Sequence, residues 1–253
     1  MVTDTIHRFD ERAADYNRFR PSYPVEMISF FTSELGLNPG DVLVDVGAGT
    51  GKLTHLLLEN GNQVYAVEPN DQMRAIADAL LFHYEGYRSI PGTAESTNIP
   101  DNTADFVFTA QAFHWFDVER IREEFRRILK GKSLVVLIWN VRNTHDSVFL
   151  KEYDIILRTF SSEYAARERN KIEHNKIERV YGPQGYETAY FPHSQTLSEE
   201  GLIGRVVSNT YTPSPGDGNF KELLAAVRAL YDEFQENGKV QIDYTTNVIY
   251  GAV

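Results

Sequence analysis

The sequence predicts a doubly wound α/β fold, and three observations predict it. Apolar runs of strand length alternate with amphipathic helical stretches over residues 41–140, a glycine turn joins the first such pair, and a long apolar helical stripe near the C-terminus precedes a period-two strand. Strands alternating with helices imply βαβ units, and these imply a parallel sheet covered by helices on both faces.

The elements follow in order. Ile6, Phe9, Ala13 and Tyr16 recur at helical spacing, and RPSYP at 20–24 stops that helix, because each proline biases its preceding residue away from the helical region. DVLVDV at 41–46 reads as a buried strand, GAGTG as a turn, and KLTHLLLEN as a helix with Leu53, Leu56 and Leu57 on one face. NQVYAVEP, YRSIPGTA, ADFVFTAQ and SLVVLIW supply four further strands, with helices at DQMRAIADALL and at 117–129, where Val118, Ile121, Phe125, Ile128 and Leu129 point inward. Residues 143–185 show mixed charge and no clean strand, and RERNKIEHNKIER at 167–179 has the alternating signs of a solvated helix face. Phe220, Leu223, Leu224, Val227, Leu230, Tyr231 and Phe234 form the late stripe, and VQIDYTTNVIY closes the sheet. One domain over 1–253 is expected: an N-terminal cap (1–40), a core (41–140), an insertion or lid (141–216) and a closing helix and strand (217–253).

Composition narrows the chemistry. With 25 Lys and Arg against 36 Asp and Glu, the net charge is −11, and 42% of the 253 residues are apolar, which suits a globular acidic chain. The absence of cysteine excludes disulfides, thiolate zinc sites, iron–sulfur clusters and cysteine nucleophiles. Negative charge without a basic run argues against a nucleic-acid partner, since that affinity comes largely from cations that displace phosphate counterions. No stretch has signal-peptide character or the ~20 apolar residues of a membrane span, so a cytoplasmic protein with no membrane partner is expected.

In DVGAGTGK, glycines at 47, 49 and 51 stand between a strand and a helix amino end, where backbone N–H groups are unpaired and a ligand can approach closely. The dinucleotide pattern G-x-G-x-x-G would need glycine at 52, where the chain has Lys52, so a nicotinamide cofactor is disfavoured. Glu68, 17 residues past Gly51, ends the second strand where a carboxylate accepts ribose hydroxyls; its bland reading is an exposed strand-end acid.

The segments DVGAGTG, AVEP, GTAESTNIP and TADFVFTAQAFHWF together resemble the class I S-adenosylmethionine-dependent methyltransferases. The match is to the small-molecule, type 11 branch, which includes trans-aconitate-type and ubiquinone-biosynthesis-type enzymes. The resemblance is specific over about residues 5–140, and it implies a seven-stranded Rossmann-like sheet whose last strand is antiparallel. It implies S-adenosyl-L-methionine as cofactor, with Gly47, Ala48, Gly49 and Gly51 at its methionine part, Asp45 supporting the loop, and Glu68 on the ribose. Pro69 and Met73 would flank the adenine, Ala94 and Glu95 would meet its edge, and Ala110 and Gln111 would line the methionine amino group and methyl. Tyr16 and Arg20 would close over the cofactor carboxylate, although Met73 also suits core filling and Arg20 a surface ion pair. The family's Pro-Gly-Gly before strand five is replaced here by Lys130, Gly131, Lys132 and Ser133.

TAQAFHWF lacks the Asn/Asp-Pro-Pro-aromatic signature of amino methylation, and no acidic cluster follows strands four or five, so no metal is expected. A small organic acceptor remains, attacked through oxygen, nitrogen or carbon by in-line displacement. His114 is the candidate general base, with packing beside Trp115 as its alternative, and His193 is a second candidate. Tyr23, Trp115, Trp139, Tyr181, Tyr190 and Phe191 are candidates to line an acceptor pocket. The rival readings are an NAD-dependent oxidoreductase and a non-catalytic S-adenosylmethionine-binding protein.

Overall fold

In the computed structural model, which describes residues 12–164 and 174–253, the run after Asp41 becomes strand β1 (Val42–Val46). β2 (Gln63–Val67), β3 (Tyr87–Ile90), β4 (Ala104–Ala110), β5 (Leu129–Arg142), β6 (Glu187–Leu197) and β7 (Val240–Gly251) complete a seven-stranded sheet of order β3-β2-β1-β4-β5-β7-β6. β1 to β5 pair in parallel, whereas β7 runs antiparallel to both β5 and β6. The expected doubly wound sheet with an antiparallel last strand is therefore present.

Two apolar layers cover it, because successive strand residues point to opposite faces. One layer joins Val44, Val107, Val135 and Trp139 to Ile121 and Phe125 of α5 (Val118–Ile128) and Ile177 and Val180 of α7 (His174–Tyr181). The other joins Leu43, Phe106, Phe108 and Ile138 to α2 (Glu26–Ser33), α3 (Lys52–Glu59) and α4 (Asp71–Leu81) through Phe31, Leu57 and Leu81. A third cluster packs α6 (Val148–Phe160), α8 (Glu199–Val207) and α9 (Phe220–Phe234) on Ile242 and Tyr244 of β7. Asn70, Asp117, Ser147 and Ser198 cap α4, α5, α6 and α8 by accepting backbone N–H groups of the first turn, worth about 1 kcal/mol each.

Three differences from the sequence reading matter. Part of the 141–216 segment is sheet rather than insertion, since residues 187–197 form the edge strand β6; Pro192 is accommodated because an edge strand leaves one row of backbone groups unpaired. The sequence KGKS is an excursion inside β5 rather than a turn before it: Ala104 pairs with Leu129 but Phe106 pairs with Leu134, and Gly131 takes φ +52°. The cap helix α1 (Ala13–Phe19) does not stand alone, because the Phe19 ring occupies the space a Cβ on Gly204 of α8 would need. Arg12 donates to the carbonyls of Asn209 and Thr212, and Gln195 Nε2 donates to the Phe19 carbonyl at 2.9 Å, fixing the cap to the far side of the cleft. Ile6, Phe9 and the run at 165–173 lie outside the described residues. Among the described residues no helix is long and apolar enough to cross a membrane.

Candidate active site

Strand order reverses between β1 and β4, so connections diverge there and leave a crevice at the carboxyl ends, the usual ligand position in open α/β sheets. The glycine loop enters this crevice from β1. Gly47, Gly49 and Gly51 have φ of +73°, +57° and +81°, a region that side chains with a Cβ rarely adopt. Their surroundings separate them. A Cβ on Gly47 would come within 2.5 Å of Ala112, and one on Gly51 within 2.6 Å of Leu81, whereas one on Gly49 meets nothing within 4 Å. Two glycines thus serve packing, and Gly49 alone faces open space.

Beneath the loop, Glu68 accepts the Gly49 N–H at 2.8 Å and the Asn70 N–H at 2.9 Å, and burial raises its pKa. Replacing it by alanine should weaken binding of S-adenosylhomocysteine by about 1–3 kcal/mol, because the Gly49 and Asn70 N–H groups that shape the loop lose their acceptor, and so would a ribose bound as the resemblance implies. Calorimetric titration giving unchanged affinity in a folded Glu68→Ala variant would remove Glu68 from the site.

Asp45, 1% exposed at the end of β1, accepts from Thr54 Oγ1 at 2.6 Å through Oδ2, while its Oδ1 is buried without a partner. Burial, with Glu68 nearby, lifts its pKa from 3.8 to about 7. The folded protein therefore holds a proton that the unfolded chain releases, so this group's stability contribution is full at low pH and is lost as pH rises through about 7. An ammonium at Oδ1 acts oppositely, because it favours the ionised acid. Affinity for S-adenosylhomocysteine should then rise as pH climbs through about 7, with protons released on binding, and Asp45→Asn should flatten both. Titrations in buffers of different ionisation enthalpy read the released protons, and persistence of the effect in the variant assigns them elsewhere.

The crevice opens into a cavity of about 640 Å³. Tyr16, Arg20, Tyr23, Asp45, Gly47, Ala48 and Gly49 line it with Ala110, Gln111, His114, Trp115 and Trp139. Gly51, Glu68, Pro69, Met73, Ala94 and Glu95 do not line it; they stand around the loop toward β2 and β3. Met73 and Ala94 are 3% and 5% exposed, which gives each a core role whatever else it touches. Glu95 accepts the Asp117 N–H at 3.0 Å. Gln111 sits at φ +59°, a strained value held by a bond from its N–H to the Ile138 carbonyl and one from Nε2 to the Asn140 carbonyl. His114 is exposed on a 3₁₀ turn (Phe113–Trp115), its ring 4.6 Å from that of Trp115.

Four expected residues are elsewhere. His193 lies on β6 outside the cavity, stacked at 5.2 Å on Tyr244, and burial lowers its pKa. Tyr181 is 0% exposed and donates to the Val135 and Ile249 carbonyls, Phe191 packs on Phe30, and Tyr190 is an exposed residue of the edge strand.

The fold and cleft match known proteins. A methyltransferase-domain family model matches residues 44–137, which hold the glycine loop, Glu68 and the β4 end. Over that span the chain is similar to the S-adenosylmethionine-dependent methyltransferases. An uncharacterized methyltransferase of Mycobacterium tuberculosis is 38% identical over 135 residues, 53% of this chain and 53% of that protein. A candidate methyltransferase of Dictyostelium discoideum is 28% identical over 211 residues, 79% of this chain and 77% of its own. The chain thus spans about half the length of the first of these curated relatives. A candidate type II methyltransferase structure from Anaeromyxobacter dehalogenans superposes with a TM-score of 0.67 at 18% identity, covering 92% of this chain and 98% of its own. That likeness shows that the fold is shared over the C-terminal third as well.

The cavity also has walls that the sequence does not announce. Five cationic side chains line it, those of Arg20, Lys52, Arg142, Lys176 and Arg205, against the two carboxylates Asp45 and Glu163. Burial, then Arg205, lowers the pKa of Arg20, whose Nε is buried without a partner. Lys52 donates to the Asn17 carbonyl at 2.7 Å and so ties the glycine loop to α1. The one local signal is Arg205, a lone charge inside the apolar run GLIGRVV.

Proposed function

We propose that this protein transfers the methyl group of S-adenosylmethionine to a small organic acceptor bound in the 640 Å³ cavity. The observation that carries the reading is the pairing of open space at Gly49 with the buried, unpartnered Oδ1 of Asp45 at the strand-order reversal. A cofactor methionine end fits these groups: Asp45 accepts its ammonium, Arg20 pairs with its carboxylate, Thr50 has a buried hydroxyl without a partner on the same loop, and Glu68 holds the ribose.

When bound, S-adenosylmethionine supplies an electrophilic methyl; the acceptor lone pair forms the new bond while the carbon–sulfur electron pair returns to sulfur. The protein's own part is alignment and exclusion of water. Gln111 and Ala110 set the floor after β4, α1 covers the loop, and Trp115 and Trp139 give the acceptor an apolar seat. His114, on the rim, takes the proton of an acceptor that must lose one.

The test is thermal stabilisation and calorimetric binding with S-adenosylhomocysteine beside NADH, followed by label transfer from the cofactor to a metabolite extract. Binding of the former without the latter, with label appearing in product, is the expected result. NADH binding favours the oxidoreductase reading, and cofactor binding without any label transfer favours a non-catalytic binder.

A further inference from the structure

We propose that the acceptor is an organic anion whose charged group is held by Arg142 and Arg205. The inference rests on the methyl-transfer reading and specifies its substrate. It starts from a charge imbalance: in a chain of net charge −11, the cavity wall is cationic. Arg142 ends β5 opposite Tyr244 of β7. Its guanidinium lies 5.0 Å from the Tyr153 ring and 5.5 Å from the Tyr164 ring; Nη2 donates to the Tyr164 hydroxyl, and Nη1 is buried without a partner. Arg205, 5% exposed, donates at 3.3 Å to the Tyr244 hydroxyl through Nε and to Asn209 Oδ1 through Nη1. Among the described residues neither arginine is paired with a carboxylate.

The two guanidinium groups are close enough to repel one another, and the hydroxyls, the ring faces and Asp154, which Arg142 reaches through the Tyr164 hydroxyl and which is already paired with Arg158, offset only part of that cost. An anion placed between them completes the pairing. The cofactor does not supply it, because its methionine end brings one carboxylate and one ammonium, already matched by Arg20 and Asp45. Lys52 is engaged by the Asn17 carbonyl, and Glu163 and Lys176, also on the wall, cancel in formal charge. What remains is the Arg142–Arg205 pair, on the wall of a cavity that Trp139 also lines. The fitting ligand has a carboxylate or phosphate head on an apolar body, which planar guanidinium forks bind in two-point fashion.

The test passes a metabolite extract over an anion exchanger and offers the retained and unretained fractions separately, with labelled S-adenosylmethionine, to the full chain. Label should enter the retained fraction, and prior phosphatase treatment should abolish it for a phosphate head and spare it for a carboxylate. Arg142→Met should raise the acceptor concentration needed for half-maximal transfer at least about tenfold, with Arg142→Lys intermediate. S-adenosylhomocysteine affinity, which also reports folding, should stay within about twofold. As a readout independent of turnover, the retained fraction should raise the melting temperature of the S-adenosylhomocysteine complex of the wild type and not of Arg142→Met. Label entering only the unretained fraction, or an unchanged acceptor requirement in Arg142→Met, overturns the proposal. Failure of S-adenosylhomocysteine to bind, or of either fraction to accept label, overturns the methyl-transfer reading and this inference with it.

Discussion

Replacing Gly49 by valine should abolish binding of S-adenosylhomocysteine while leaving most of the fold intact. The residue sits at φ +57°, so any Cβ there costs about 1–2 kcal/mol in backbone strain. The added methyls meet no protein atom, since the space beside Gly49 is open, and they fill the volume that the ligand needs. Gly51→Val is the informative control: its Cβ would collide with Leu81 at 2.6 Å, so that variant should lose stability first and binding as a consequence. Melting curves and calorimetry on the pair separate the two roles. Normal cofactor binding by Gly49→Val would reduce the loop to a structural turn.

Turnover should fall at least ~100-fold in His114→Gln when the acceptor is a hydroxyl or phenol, with cofactor affinity nearly unchanged. His114 follows β4 directly, on a short turn at the rim of the cavity, where its ring rests on Trp115 and stays exposed to solvent. That position suits exchange of a proton with water. An acceptor whose attacking oxygen is already ionised needs no base, and the variant should then work within a few fold of normal. Steady-state kinetics on a hydroxyl acceptor and on a carboxylate acceptor distinguish the cases. Near-normal turnover on a protonated acceptor would leave His114 a packing residue.

Local signals and assembled ones are unequally legible in the sequence. β1, the glycine loop and α3 are contiguous, and their apolar pattern and turn chemistry are written into adjacent residues, so the three-glycine turn stands out from the amino-acid order, while Asp45 enters only with the family resemblance. β6 escapes because an edge strand buries one face only in part: Ala189, Phe191 and His193 are half covered, and Pro192 interrupts the run. The separate roles of Gly47 and Gly51 are hidden for another reason, since their constraint comes from Ala112 and Leu81, far along the chain. Arg142, Arg205 and Tyr244 escape on the same ground. Arg142 and Tyr244 are ordinary in sequence, Arg205 shows only as a lone charge in an apolar run, and all three acquire meaning only when β5, α8 and β7 converge.

That convergence fixes the sequence of events when the chain is made. β7 lies between β5 and β6, yet it is synthesised after both. Until it emerges, β6 has no partner in the sheet, and residues 143–186, which separate β5 from β6, form a connection anchored at one end. The glycine loop and Glu68 lie among the first five strands, which by Arg142 have every sheet neighbour except β7 beside β5. A nascent chain can therefore pair β1 to β5 with one another first and gains the Arg142–Tyr244 register only with the final strand. Chains released before residue 240 would keep the glycine loop without the β7 side of the cavity, and their uncovered β5 edge would be open to pairing with other chains.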